Sequence, residues 1–297
     1  MDVAITGASG LIGTSLRAHL EAAGHRVRPV VRRAGVPDAI SWDPAAGTID
    51  AAALEGLDAV VHLAGEGIAS GPWTSAQRRR IHDSREQGTR LLATALAGLD
   101  APPRVLASGS AIGWYGDRGD TVLTEASGPG KGFLVDVCRD WEAATMPATE
   151  AGIRTVHLRT GIVLTRSGGA LAKQLPLFKA GLGGRAGSGA QWLSCITLAD
   201  EVAAIAHALT ADDLHGPVNL TAPEPVTNAT FTTALGEALH RPTFLRVPRV
   251  VRHLPLGVGD LLDNLLFCSA RVQPDALLRS GFAFAHPSLP DALRSTL

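Results

Sequence analysis

The chain has 297 residues, 27 basic and 28 acidic side chains, a formal net charge of −1 and 45% hydrophobic residues. That length carries one large α/β domain, or one domain with a smaller partner, and the apolar content fills a sizeable core, which excludes a mainly disordered chain. The balanced charge argues against a general nucleic-acid binder, which shows a basic excess on at least one face.

The first 160 residues alternate short apolar runs with helical patterns, the mark of βαβ units on a parallel sheet. The pattern predicts strands at Val3–Thr6, Arg26–Val31, Ala59–Leu63, Arg104–Ser108 and Arg154–Leu158. It predicts helices at Leu11–Ala23, Thr74–Leu96 and Phe133–Glu150 between them. The run from Asp58 to Gly65 is nearly all apolar, as a strand covered on both faces should be. Beyond Leu164 the texture changes. Gly181 to Gly189 reads as a glycine-rich loop, and a helix at Leu198–Leu209 returns to the first domain. From Ala222 onward, proline-punctuated stretches (Ala229–Leu239, Val250–Leu266, Asp275–Arg279, Leu289–Leu297) predict a smaller, mainly helical lobe. The fold class is α/β: a Rossmann-type doubly wound parallel sheet with a small C-terminal substrate lobe.

The three cysteines, Cys138, Cys195 and Cys268, are far apart and lack Cys-x-x-Cys spacing, so neither a disulfide framework nor a metal site is expected. No histidine pair has metal-ligand spacing on a recognisable face. The opening M-D-V-A-I-T-G has no basic n-region, and no uninterrupted apolar run reaches membrane-spanning length. The expectation is a cytoplasmic protein with a small-molecule substrate and with no membrane or nucleic-acid partner.

Thr6-Gly-Ala-Ser-Gly-Leu-Ile-Gly13 directly follows a strand and opens a helix. Gly7, Gly10 and Gly13 permit a tight turn, the approach of backbone amides to a pyrophosphate, and close helix–strand packing. The backbone of Ser9, Leu11 and Ile12 then lies at a helix N-terminus, which offers unpaired N–H donors and partial positive charge. At the end of the second strand an acid would hold the ribose of NAD. Here the chain reads Val30-Val31-Arg32-Arg33 instead. An arginine there bonds a 2′-phosphate, so the cofactor expected is NADP(H). Residues 1–164 are therefore read as the NADP-binding domain, rejoined by 190–221, with 165–189 and 222–297 forming the substrate lobe.

These features, followed by His62-Leu-Ala-Gly65, resemble an extended short-chain dehydrogenase/reductase of the sugar-nucleotide epimerase/dehydratase type. Ser110-Ala-Ile-Gly-Trp-Tyr-Gly-Asp-Arg-Gly119, Val137-Cys-Arg-Asp-Trp-Glu142, Gly187-Ser-Gly-Ala-Gln-Trp192 and the ending Ser280 to Pro287 resemble a narrower, atypical epimerase-like subgroup. The resemblance implies NADP(H) contacts at the glycine loop, Arg32, Leu63, Ala64, Arg85 and Val163, with Arg33, Gly65 and Ser108 beside them. A homodimer is also familiar in this superfamily. The same resemblance exposes a departure. The family's Tyr-x-x-x-Lys pair falls on Leu134 and Cys138, counting back from Glu142, and neither residue can do that chemistry. Positioned acid/base catalysis contributes roughly 10²–10⁴-fold, so the usual hydride mechanism is compromised.

Ser110 is the better match to the family's catalytic hydroxyl, and Ser108 lies two residues before it. Two roles are open for Tyr115, the only tyrosine: acid/base near the nicotinamide end, or packing beneath the loop. Two are open for Glu66: acid/base at the cleft, or capping a helix or pairing with an arginine. Trp73, Trp114 and Trp192, with Arg185 and Gln191, are candidate substrate walls. The leading function is an NADP(H)-dependent oxidoreductase with a non-standard active site. The alternatives are a non-redox isomerase, dehydratase or cyclase on this fold, and a non-catalytic NADPH-binding regulator.

Overall fold

The computed structural model describes residues 1–33 and 35–297. The chain opens with β1 (Asp2–Thr6), α1 (Leu11–Ala22) and β2 (Arg26–Val31), then adds β3 (Ile40–Asp43) and β4 (Thr48–Ile49). Next come β5 (Ala59–His62), the long α2 (Ser75–Ala97), β6 (Val105–Ala111), β7 (Val122–Leu123), α3 (Phe133–Ala143) and α4 (Met146–Glu150). β8 (Arg154–Thr160), β9 (Ile162–Leu164), α5 (Gly169–Lys179), β10 (Gly184–Ala186), β11 (Trp192–Leu193) and β12 (Cys195–Thr197) follow. α6 (Leu198–Thr210), β13 (Gly216–Leu220), β14 (Val226–Thr227), α7 (Asn228–Leu239) and β15 (Leu245–Val247) lead to α8 (Val258–Leu262). β16 (Arg271–Val272), α9 (Asp275–Arg279) and α10 (Leu289–Thr296) complete the chain.

Eight strands hydrogen-bond in the order β13-β8-β6-β5-β1-β2-β3-β4. All neighbours are parallel except β3 and β4 at one edge. The chain winds outward from β1 through β2 and β3, then crosses to β5 and winds the other way. That reversal puts a crevice beyond the carboxyl ends of β1 and β5, where ligands bind in open α/β sheets. Alternate strand residues feed opposite faces. Val3, Ile5 and Val61 pack with Leu16 and Leu20 of α1 and Ile205 of α6. Ala4, Val60 and Leu106 pack with Leu92 and Leu96 of α2 and Ala148 of α4. All four residues of β5 are buried, which accounts for its unbroken apolar run.

The helix predicted over Phe133–Glu150 is two helices in the structure, broken at Ala144–Thr145. Pro147 lacks the N–H that a continuous helix would bond to Ala143, and its ring crowds that carbonyl. The helix predicted over Val250–Leu266 is likewise three short turns: a 3₁₀ turn at Arg249–His253, α8, and a π turn at Asp263–Phe267. Pro255 and the left-handed pair Leu256 (φ 62°) and Gly257 (φ 79°) interrupt it. Gly257 is required there, since a Cβ would lie 2.9 Å from the Trp73 Cα and closer still to its carbonyl group. α5, β3 and β4 were not anticipated by the periodicity. The C-terminal segment returns to the first domain: β16 pairs with β7 in a separate two-stranded sheet, and Leu277, Phe282 and Phe284 pack on the core with α6. Among the described residues no helix is long and apolar enough to cross a membrane, and no cluster of His, Cys, Asp or Glu has the makings of a metal site.

Candidate functional site

The glycine loop connects β1 to α1 at the reversal point. Gly7 sits at φ 67°, and a Cβ on it would lie 2.8 Å from the Leu63 carbonyl carbon and 2.9 Å from the Ala64 nitrogen. A Cβ on Gly13 would run into the Gly7 carbonyl oxygen. The loop is thus closed against β5 and against its own helix, which leaves backbone as its outer surface. Gly10 caps α1 without a side-chain bond, and no acid stands in the first turn. The first N–H groups of α1 are therefore left for an anion. Ser9 and Gly10 are exposed, and Leu11 and Ile12 are half-buried.

Thr6 anchors the other side. Its hydroxyl accepts from the Leu63 and Ala64 N–H groups at 3.0 and 3.1 Å and lies 2.7 Å from His62 Nδ1. Both lone pairs are taken, so the hydroxyl proton goes to Nδ1, and His62 carries its own proton on Nε2. Burial, with the nearby Arg85 charge, lowers the His62 pKa to about 4, so the ring is neutral. Ala8, Ile12, Leu63 and Val163 meet at the edge of the core, and Leu11 touches Gly168 beyond β9. Arg32 and Arg33 are exposed just past β2, and neither pairs with an acid among the described residues. Arg85 reaches back from α2. Its Nη1 donates to the Glu66 and Ile81 carbonyls at 2.9 and 3.0 Å, and its guanidinium stacks over Trp141 at 4.9 Å and abuts Gly65. Burial pulls its pKa below the usual arginine value.

The catalytic candidates separate into two environments. Glu66 is half-buried; its Oε1 accepts from Gln77 Nε2 at 3.2 Å and its N–H donates to Ser84. Ser110 lies at the end of β6 and is 4% exposed, with its hydroxyl donating to Glu142 Oε1 at 2.6 Å. Arg159 of β8 clamps Glu142 through Nε and Nη2, each at 2.8 Å, and its Nη1 donates to the Tyr115 hydroxyl at 3.1 Å. Tyr115 in turn donates to Asn219 Oδ1 at 2.7 Å. Trp114 covers the Arg159 guanidinium at 4.1 Å. A serine whose single proton is committed to a carboxylate offers lone pairs to its other neighbours.

The burial of two of these residues bears on their roles. Tyr115 is fully buried, and burial raises its pKa against the opposing pull of Arg159. It braces Arg159 and Asn219 and does not face the cleft as a proton donor. Ser108 is also fully buried, with its hydroxyl 3.5 Å from the Gly109 carbonyl, so it lies beneath the cofactor crevice. The tandem Leu134 and Cys138 do stand one turn apart on α3 beside Gly113. Burial, then the Glu142 charge, pushes the Cys138 thiol up to about 12 against the pull of Arg85, so the side chain at this position is a neutral thiol.

Sequence reasoning missed Arg159 and Asn219. The available signal was an arginine directly after Leu158 in a strand flanked by core positions, which, if buried, has to find an acid. Of the proposed substrate walls, Trp73 is buried and bonded to the Ile68 carbonyl, and Trp114 roofs the ion pair. Trp192 bonds Asp120 and stacks on Arg271 at 4.3 Å. Gln191 is spent on the Ala186 and Leu266 carbonyls, and Arg185 lines a cavity built from the small lobe alone.

Comparison with known proteins gives two family matches: the NAD dependent epimerase/dehydratase family over residues 3–221, and a domain of unknown function, DUF1731, over residues 247–296. The chain is 46% identical to epimerase family protein Mb2239 of Mycobacterium bovis over 292 residues, 98% of this chain and 96% of that protein. It is similar to the crystal structure of human epimerase family protein SDR39U1 (isoform 2) with NADPH, at TM-score 0.90 and 34% identity, covering 100% and 99% of the two chains. A nucleoside-diphosphate sugar epimerase from Corynebacterium glutamicum superposes at TM-score 0.82 and 35% identity, covering all of this chain and 58% of that one.

Proposed function

The chain belongs to the NAD dependent epimerase/dehydratase family, and from that premise we propose that it is an NADP(H)-binding oxidoreductase acting on a small organic molecule. The observation that carries the reading is the cradle itself: a loop that admits no Cβ at Gly7 or Gly13, an uncapped helix N-terminus, and arginines in place of an acid past β2. The backbone of residues 9–13 would hold the pyrophosphate, Arg32 and Arg33 the 2′-phosphate, and Leu63, Ala64, Arg85 and Val163 the remainder. The human relative crystallised with NADPH, 34% identical along the whole chain, supports the same choice of nucleotide. When bound, the nicotinamide gives or takes a hydride.

The chain's own residues supply the rest. Glu66 is the ionisable group at the cleft edge, oriented by Gln77, and serves as proton acceptor or donor to substrate. Ser110 offers its lone pairs to a substrate hydroxyl while Glu142, fixed by two bonds from Arg159, holds the serine proton. A second reading, a non-redox enzyme or an NADPH-binding regulator, is favoured by one feature: Leu134 and a neutral Cys138 where the family pattern has its tyrosine and lysine.

Incubation with NADPH deuterated at the transferable carbon and a metabolite extract, read by mass spectrometry, separates the two. Label in a product, absent with a Gly10→Ala/Gly13→Ala control, supports the oxidoreductase. NADPH binding with no label transferred favours the second reading.

A further inference from the structure

The small lobe contains a second concave site that shares no residue with the cradle. β10 and β15 run parallel, and their register sets Arg185 directly beside Arg246. Both line a cavity of about 190 Å³ whose other polar walls are Thr232 and Thr233 of α7 and Thr243 of the segment that follows, with the Phe244 ring at the rim. Arg185 is half-buried, Arg246 is exposed and Phe244 is 77% exposed.

Every polar side chain of this wall is unspent. No carboxylate lines the cavity, and among the described residues neither arginine takes part in an ion pair or a side-chain hydrogen bond. The three threonine hydroxyls likewise make no hydrogen bond within the protein, and that of Thr232, a residue only 4% exposed, is not sealed from solvent. A threonine on a helix ordinarily bonds back to a carbonyl one turn earlier, so hydroxyls that make no such bond remain available as donors to a ligand. Like charges set side by side on neighbouring strands also repel. An anion in the cavity removes that repulsion and takes up the free donors.

We propose that this cavity is a binding site for a phosphate monoester carried on a flat or apolar group. Two guanidinium forks match the oxygens of a phosphate, and a monoester brings about two negative charges at neutral pH against the two arginines. The threonine hydroxyls donate to the remaining oxygens, and Phe244 gives the attached group a face to lie on. This site is separate from the nucleotide cradle and does not depend on the cofactor assigned there.

The test is calorimetric titration of the full chain with phenyl phosphate and with inorganic phosphate, in the presence and absence of NADPH. The expected result is that phenyl phosphate binds several-fold more tightly than inorganic phosphate, with or without NADPH. Arg185→Gln and Arg246→Gln each weaken phenyl phosphate at least tenfold, while NADPH affinity stays unchanged. Phe244→Ala, on an exposed side chain, preserves the fold, erases the preference for the phenyl ester and leaves inorganic phosphate binding intact. No heat with either probe, or equal affinity in the wild type and both arginine variants, overturns the proposal. So does sedimentation with phosphatidic acid vesicles in the absence of any binding to the soluble esters, which assigns the arginines to a lipid surface.

Discussion

Glu201 stands in the first turn of α6 with no exposed surface. Its Oε1 accepts from the Thr160 hydroxyl at 2.8 Å, and its Oε2 has no partner. Burial raises its pKa from 4.5 to about 8, against the pull of the Thr160 bond, so the carboxyl is neutral near pH 7 and carries its proton on Oε2. The unfolded chain ionises near 4.5 and therefore binds fewer protons than the folded chain between the two values. Stability must fall as pH rises through that window and level off above about pH 8. At 1.36 kcal/mol per pKa unit the loss is roughly 1 kcal/mol by pH 5, roughly 3 kcal/mol by pH 7 and roughly 4–5 kcal/mol above pH 8.

Glu201→Gln has the shape of the protonated acid, keeps an acceptor for Thr160 and does not titrate. Thermal unfolding midpoints of the wild type and variant, in matched buffers from about pH 5 to pH 9, isolate this group because every other ionisation is common to both. Near pH 5 the two midpoints should lie close together. By about pH 8 the variant should unfold some 5–10 °C higher, at about 2 °C per kcal/mol for a chain of this size. Parallel curves across the whole range would show that Glu201 is already ionised in the fold, and would refute the burial argument.

Three further outcomes follow from the site. Arg32→Ala should weaken NADPH by about 10- to 100-fold and NADH by less than threefold, because a charged hydrogen bond to phosphate contributes about 1.5–3 kcal/mol; equal losses in fluorescence titrations would remove Arg32 from the 2′-phosphate. Gly13→Ala should destabilise by about 1–3 kcal/mol in urea denaturation and lose nucleotide affinity, since its Cβ strikes the Gly7 carbonyl; unchanged affinity would mean that the loop does not hold the pyrophosphate. Tyr115→Phe leaves Asn219 Oδ1 and Arg159 Nη1 short of a partner and should cost about 1–3 kcal/mol of stability while leaving the pH profile of turnover in place. Loss of one limb of that profile would return Tyr115 to catalysis.

Much of this molecule is written locally. A glycine that must bend, a strand buried on both faces and a helix that opens on free amides are each decided by a few adjacent residues. The sheet, the cradle and the arginines past β2 were accordingly legible from the residues around Thr6–Gly13, Ala59–Leu63 and Arg32. Pro147 and Pro255 were legible too, as breaks that the apolar periodicity around them concealed. Tertiary structure alone decided what faces what. Ser110 and Tyr115, Glu142, Arg159 and Asn219 come from four separate segments, and the parallel register of β6, β8 and β13, with α3 beside them, brings them into one chain of bonds. That register turns Tyr115 inward and makes it a brace. It is also register, between β10 and β15, that sets Arg185 against Arg246 across some 60 residues of sequence. A hydrogen bond or a like-charge contact depends on distances of a few ångströms in space, and residue spacing fixes such distances only within a turn or a strand.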